Sequence, residues 1–161
     1  MPYTILLVDD NEMVRKFVLM ALSGLGHGEV LEANDAAQAI KISEAYHEPI
    51  EVLLTDVVMP GEMNGHDLAR KISETRPETK ILLMSGYDET AACALREGWR
   101  FIHKPFSTSA LIETVEQVLH EPAKNMNLLA VMEHSIGFTP QTGLRKQRCG
   151  SVPRKRGSSA S

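Results

Sequence analysis

The chain has only two cysteines, Cys93 and Cys149. Their spacing is not that of a metal-binding cluster, and two cysteines do not make a disulfide framework, so a zinc or disulfide-stapled scaffold is excluded. A reduced, cytosolic setting is the expectation. Long hydrophobic runs are also missing: nothing approaches the roughly 18 consecutive apolar residues that a membrane span needs. The first residues, Met1-Pro2-Tyr3-Thr4-Ile5, lack a basic segment and meet Asp9 and Asp10 too soon for a signal peptide. No internal repeat is visible.

What is present suits one soluble domain with its own core and some residues to spare: 161 residues, 43% hydrophobic and 24% charged. The charge is unevenly placed. Residues 134–161 hold six basic side chains (Arg145, Lys146, Arg148, Arg154, Lys155, Arg156) and no acid, which leaves 11 basic against 21 acidic residues in 1–133. An acidic body with a basic tail is a two-part chain. The tail is rich in Gly, Ser, Pro and Thr and has little to bury, so it reads as disordered. Its clusters, Arg145-Lys146-Gln147-Arg148 and Arg154-Lys155-Arg156, are of a kind that contacts nucleic-acid phosphates. They lack interleaved aromatics, and a solvated tail is the preferred reading.

Between the termini, short apolar runs alternate with stretches of helical periodicity. Thr4–Val8, Glu29–Ala33, Val52–Asp56, Lys80–Met84 and Arg100–His103 read as strands. Asn11 is placed to cap a helix with Met13, Val14, Phe17, Val18, Ala21, Leu22 and Leu25 on its apolar face. Asn34 or Asp35 caps a second, running to about Tyr46, with Ala36, Ala37, Ala39 and Ile40 inward. After the Pro60-Gly61 and Asn64-Gly65 turns, His66–Thr75 forms a third, burying Leu68, Ala69 and Ile72. Asp88–Glu97 is a fourth, and Ser107 caps a fifth that ends near His120, with Ala110, Leu111, Val115, Val118 and Leu119 inward. Strand and helix in strict alternation imply a parallel sheet with helices on both faces, because parallel strands need crossover connections. The expected architecture is an α/β, doubly wound, five-stranded domain over 1–121. Residues 122–133 form a short helical extension or linker, and 134–161 the basic tail.

In such a sheet the carboxyl ends of the strands share one edge, where ligands bind. Four of those ends carry polar residues: Asp9 and Asp10, Asp56, Ser85, and Lys104. Asp56 ends a run that is apolar on both faces, and its carboxylate is expected at the solvent edge. Each residue taken alone has a plain explanation, since Asp-Asp before a helix is a cap signal and Ser-Gly is a turn. Their coincidence on four strand ends points instead to joint chemistry. Three close acids repel unless a cation is present, and a hard ion such as Mg²⁺ takes oxygen ligands and leaves room for a phosphate. A lysine and a hydroxyl opposite them suit phosphoryl oxygens, with the central carboxylate as a candidate nucleophile.

The segments Leu7-Val8-Asp9-Asp10-Asn11, Leu54-Thr55-Asp56-Val57-Val58-Met59-Pro60, Met84-Ser85-Gly86-Tyr87 and His103-Lys104-Pro105-Phe106 together resemble the receiver domain of two-component response regulators. The resemblance covers about residues 3–121 and implies the flavodoxin-like receiver fold. It implies that Asp56 is the phosphoacceptor, taking a phosphoryl group from a histidine kinase or phosphotransfer protein to give an aspartyl phosphate. Asp10, Asp56 and the backbone carbonyl of Val58 match the direct Mg²⁺ ligands, and Asp9 the second acid, acting through water. Ser85 matches the switch hydroxyl and Lys104 the lysine that pairs with the phosphoryl group. Pro105 matches a proline preceded by a cis peptide. Phe101 holds the place of the second switch residue, where relatives often carry Tyr. The loop Gly61-Glu62-Met63-Asn64 is one residue longer than in many receivers and is similar to that in receivers of hybrid sensor kinases. Val58 has no polar side chain to assist attack by water.

The resemblance further implies a phosphorylation switch in the cytoplasm and not a turnover enzyme. Its output is contact with a downstream protein through the fourth helix, fifth strand and fifth helix, or a phosphorylation-dependent homodimer; no membrane is involved. The competing reading is an Asp-nucleophile phosphohydrolase of the haloacid dehalogenase type. Such enzymes carry a second Asp two residues after the nucleophile, and that place is Val58 here. Trp99 reads as a packing or partner-facing residue, and His27, His66 and His103 as incidental.

Overall fold

The apolar runs form the centre of a parallel sheet. In the computed structural model, which describes residues 2–26 and 28–122, β1 (Tyr3–Val8), β2 (Gly28–Ala33), β3 (Val52–Asp56), β4 (Lys80–Ser85) and β5 (Arg100–His103) pair in the order β2-β1-β3-β4-β5. Every pairing is parallel. The helices are α1 (Glu12–Leu22), α2 (Ala36–Ala45), α3 (Gly65–Thr75), α4 (Asp88–Glu97) and α5 (Thr108–His120), with a short 3-10 turn, Ser23–Leu25, after α1. The doubly wound five-stranded fold expected from the alternation is present. From residue 123 onward, the linker and basic tail lie outside the described residues, as does His27.

Strand side chains alternate between two cores, because successive residues in a strand point to opposite faces. Leu6, Val8, Leu53, Ile81 and Leu83 pack with Ala36 and Ala39 of α2, Leu68, Ala69 and Ile72 of α3, and Ala94 of α4. Ile5, Leu7, Val52, Leu54, Leu82 and Met84 face the other way, against Val18, Ala21 and Leu22 of α1 and Leu111, Val115 and Val118 of α5. Both faces being covered is why these strands read as unbroken apolar runs and not as alternations. Burying a Leu or Ile is worth roughly 1.5–3 kcal/mol, so β1, β3 and β4, which end at the candidate site, are anchored by buried side chains on both faces.

The helix starts follow local chemistry. The Asn11 side chain accepts from the Met13 amide at 2.9 Å, Asp35 from Gln38 at 2.7 Å, and Ser107 from Ala110 at 3.1 Å. Asn64 and Asp67 add a reciprocal capping box at α3. The structure corrects two expected core positions. Met13 is 73% exposed and Ala37 is exposed. Successive helix residues stand about 100° apart, so each falls just outside the arc that its neighbour, the half-buried Val14 or the buried Ala36, defines. Among the described residues no helix is long and apolar enough to cross a membrane.

Arg76, at the end of α3, ties the α2 and α3 layer together. Its guanidinium donates to Ser43 Oγ at 3.1 Å, to the Glu48 carbonyl at 3.0 Å, to the Ser43 carbonyl at 2.8 Å, and also to the Tyr46 carbonyl. Losing such charge-assisted bonds typically costs about 2 kcal/mol. Arg76→Met should lower the urea midpoint accordingly, and Arg76→Lys should recover little, because an ammonium lacks the planar fork. A lysine variant as stable as wild type would show that only the charge matters.

Candidate functional site

The strand order reverses at β1, which has β2 on one side and β3 on the other, and a crevice forms outside the carboxyl ends of β1 and β3. Backbone bonds carry the ladder a step beyond the strands and set the loops that cross this edge. Asp9 N donates to Ala33 O at 3.2 Å, Val57 N to Met84 O at 3.1 Å, and Lys104 N to Ser85 O at 2.8 Å. Asp9, Asp10, Asp56 and Lys104 are thereby brought into one cluster.

The three carboxylates each offer an oxygen within 4.8 Å of the others. Lys104 Nζ lies 3.0 Å from Asp9 Oδ2 and 3.3 Å from Asp56 Oδ1. Asp9 is fully buried, and its Oδ1 accepts from the Asn11 amide at 2.8 Å. Arg15 braces the same turn by donating to the Asp9 carbonyl at 2.7 Å. The Lys104–Pro105 peptide is cis, as the resemblance implies.

Asp56 is only 6% exposed, which corrects the expectation that its carboxylate stands in solvent. It ends β3 at the floor of the crevice, with Lys104 reaching over it from beyond β5. Burial pushes its carboxyl up to about 6 from an ordinary value of 3.8, and the neighbouring Asp9 charge adds to that. The Lys104 ammonium and the Val58 backbone amide, which donates to the carboxylate, oppose the rise without cancelling it. One ammonium does not balance three acids. All the convergent donors are hard oxygens, and this is the set that Mg²⁺ takes; the residues fit such an ion.

Ser85 is brought to the same edge, but its hydroxyl points toward α4. It lies 3.3 Å from Thr90 Oγ1 and accepts from the Tyr87 amide at 3.1 Å. Phe101 is half-buried against the core on the α2–α4 side and meets His103 edge-on at 6.2 Å. Val58 is half-buried beside Asp56.

Gly65 and His66 read from the sequence only as a turn residue and an incidental histidine, and Thr90 as nothing at all, yet each holds a packed position near the site. Gly65 opens α3 directly beneath the end of β3, and its amide donates to the Val57 carbonyl at 2.9 Å. It shares a helical face with Leu68, Ala69 and Ile72, a signal its Asn-Gly turn context masked. Thr90 is buried at 4% exposure against Ser85; no local pattern marks it. His66 is buried against Trp99, ring centroids 5.0 Å apart, and its Nε2 has no hydrogen-bond partner among the described residues. Burial pulls its pKa below the usual histidine value. Trp99 is therefore a packing residue.

Comparison with known proteins agrees with this geometry. Residues 5–116 match the response regulator receiver domain. The chain is 34% identical over 119 residues to the response regulator receiver protein CpdR of Brucella abortus (strain 2308), covering 71% of this chain and 95% of that protein. It is 36% identical over 121 residues to the sensor kinase CckA of the same organism, covering 73% of this chain but only 13% of that much longer protein. Among solved structures, the receiver domain of the hybrid histidine kinase CckA superposes with a TM-score of 0.62 at 33% identity, covering 73% of this chain and 99% of that one. With the sheet order, the acid cluster and its lysine already in place, this chain belongs to the receiver-domain family of two-component response regulators.

Proposed function

We propose that Asp56 accepts a phosphoryl group from a histidine kinase or a histidine phosphotransfer protein. The observation that carries this reading is the Lys104 ammonium, 3.0 Å from Asp9 and 3.3 Å from Asp56 in a cluster of three carboxylates. An Asp56 oxygen attacks phosphorus, the bond to the donor breaks, and the donor leaves with the electron pair, giving an aspartyl phosphate. Lys104 stands where it would pair with the phosphoryl oxygens as their charge is exposed. Asp10, Asp56 and the Val58 carbonyl would hold Mg²⁺, with Asp9 alongside. When bound, that ion supplies the remaining positive charge and orients the phosphoryl group.

The consequence is a switch in protein contacts and not turnover. Ser85 and Phe101 change packing when the phosphoryl group is present, and the altered surface, formed by α4, β5 and α5, meets a downstream protein or a second copy of the chain. The setting is the cytoplasm. The place two residues after Asp56, where a dehalogenase-type hydrolase keeps its acid, is Val58, which supports a phosphoacceptor over an enzyme. Incubation with acetyl phosphate and Mg²⁺ should yield a species heavier by one phosphoryl group, absent in Asp56→Asn. Labelling that survives the substitution would overturn the assignment.

A further inference from the structure

We infer that Thr90 is a positioning residue that holds the Ser85 hydroxyl on α4 while Asp56 is unmodified, and so sets how readily the site accepts a phosphoryl group. The inference rests on the reading of Asp56 as the phosphoacceptor and names a residue that governs it.

Ser85 and Thr90 are 1% and 4% exposed, so water is a poor substitute partner for either hydroxyl. Ser85 Oγ lies 3.3 Å from Thr90 Oγ1 and accepts from the Tyr87 amide at 3.1 Å. The Thr90 amide in turn donates to the Tyr87 carbonyl at 3.2 Å. These bonds close a small knot where β4 passes into α4, a helix whose cap residue, Tyr87, makes no side-chain capping bond of its own. A serine hydroxyl has one proton to donate. Either hydroxyl can be the donor in the Ser85–Thr90 pair, and in both cases a rotation of Ser85 Oγ that delivers its proton to a phosphoryl oxygen on Asp56 draws it away from Thr90 and from the Tyr87 amide. Accepting a phosphoryl group and holding the first turn of α4 are thus competing uses of one hydroxyl. The protein binds the anion only from the fraction in which Ser85 has let go, and its apparent affinity falls by that fraction.

A neutral hydrogen bond of this sort shifts an equilibrium by roughly two- to tenfold. The probe is beryllofluoride with Mg²⁺, a phosphoryl mimic, titrated calorimetrically into the full chain. Thr90→Val, which keeps the shape and drops the hydroxyl, should bind it roughly two- to tenfold tighter than wild type. Thr90→Ala provides the same readout should valine pack poorly. Thr90→Ser should restore wild-type affinity, and in a Ser85→Ala background Thr90→Val should give no gain. A purely structural role would not produce that dependence on Ser85. Unchanged or weaker binding by both the valine and alanine variants overturns the inference, as does a gain that persists without the Ser85 hydroxyl. Wild type failing to bind the probe overturns the phosphoacceptor reading, and this inference with it.

Discussion

Asp56→Asn is expected to stabilise the metal-free protein at pH 7 by up to about 3 kcal/mol, at 1.36 kcal/mol per pK unit. The folded-state value of about 6, against an ordinary 3.8, means the native protein holds the Asp56 proton more tightly than the unfolded chain does. The carboxyl's favourable contribution is then fully present below about pH 4 and is lost as pH rises through about 6. At neutral pH the buried, ionised group opposes folding, chiefly because it has left water and secondarily because Asp9 is beside it. Asparagine keeps the shape and removes the charge. Urea unfolding in chelator should therefore show the variant ahead of wild type at pH 7 and level with it at pH 4. Mg²⁺ should then close the gap at pH 7 by binding native wild type preferentially. A gap of the same size at pH 4, or none at pH 7, would contradict the electrostatic origin.

Gly65→Ala is expected to cost about 3 kcal/mol or more, although the same change inside an ordinary helix gains up to about 1 kcal/mol. The difference is steric. A Cβ on Gly65 would stand 1.9 Å from the Asp56 carbonyl oxygen and 2.8 Å from both the Asp56 carbonyl carbon and Val57 Cα. These are backbone atoms at the buried end of β3 and the residue after it, so no flexible side-chain end can move aside; overpacking of this kind typically costs about 1–3 kcal/mol, occasionally more. The chain must instead push α3 away, which loses the Gly65 amide bond to Val57 O, or displace the end of β3 that carries Asp56. Both urea midpoint and Mg²⁺ affinity should fall. Gly86→Ala is the control, because its Cβ would meet the Lys104 carbonyl oxygen at an ordinary 3.9 Å. A Gly65→Ala protein within about 1 kcal/mol of wild type, below the usual overpacking cost, would show that the α3 start yields easily.

The strands were legible because burial on both faces leaves a signature in consecutive residues, as in Val52-Leu53-Leu54. The caps at Asn11, Asp35 and Ser107 were legible for a similar reason, since the side chain and the amide it meets are two or three residues apart. The edges of the helix faces were less so: whether Met13 is covered depends on what packs beside Val14, and nothing local records that. Motifs at four strand ends marked the candidate site residues, and the acids and the lysine among them do cluster.

Its state was not legible. Lys104 and Asp9 are 95 positions apart, yet their contact at 3.0 Å, with Asp56 beside it, encloses the carboxylate expected in solvent. Likewise the Ser85 hydroxyl was expected to serve the phosphoryl group, and only the packing of α4 shows it already engaged by Thr90. By itself, then, the sequence determined which elements form and which residues stand at their carboxyl ends, because both are written in short-range periodicity and in side chains facing nearby amides. The tertiary structure alone decided how deeply Asp56 is buried, which way Ser85 turns and why position 65 has no room for a methyl group. Those follow from strand order and layer spacing, which bring distant residues to within one hydrogen bond.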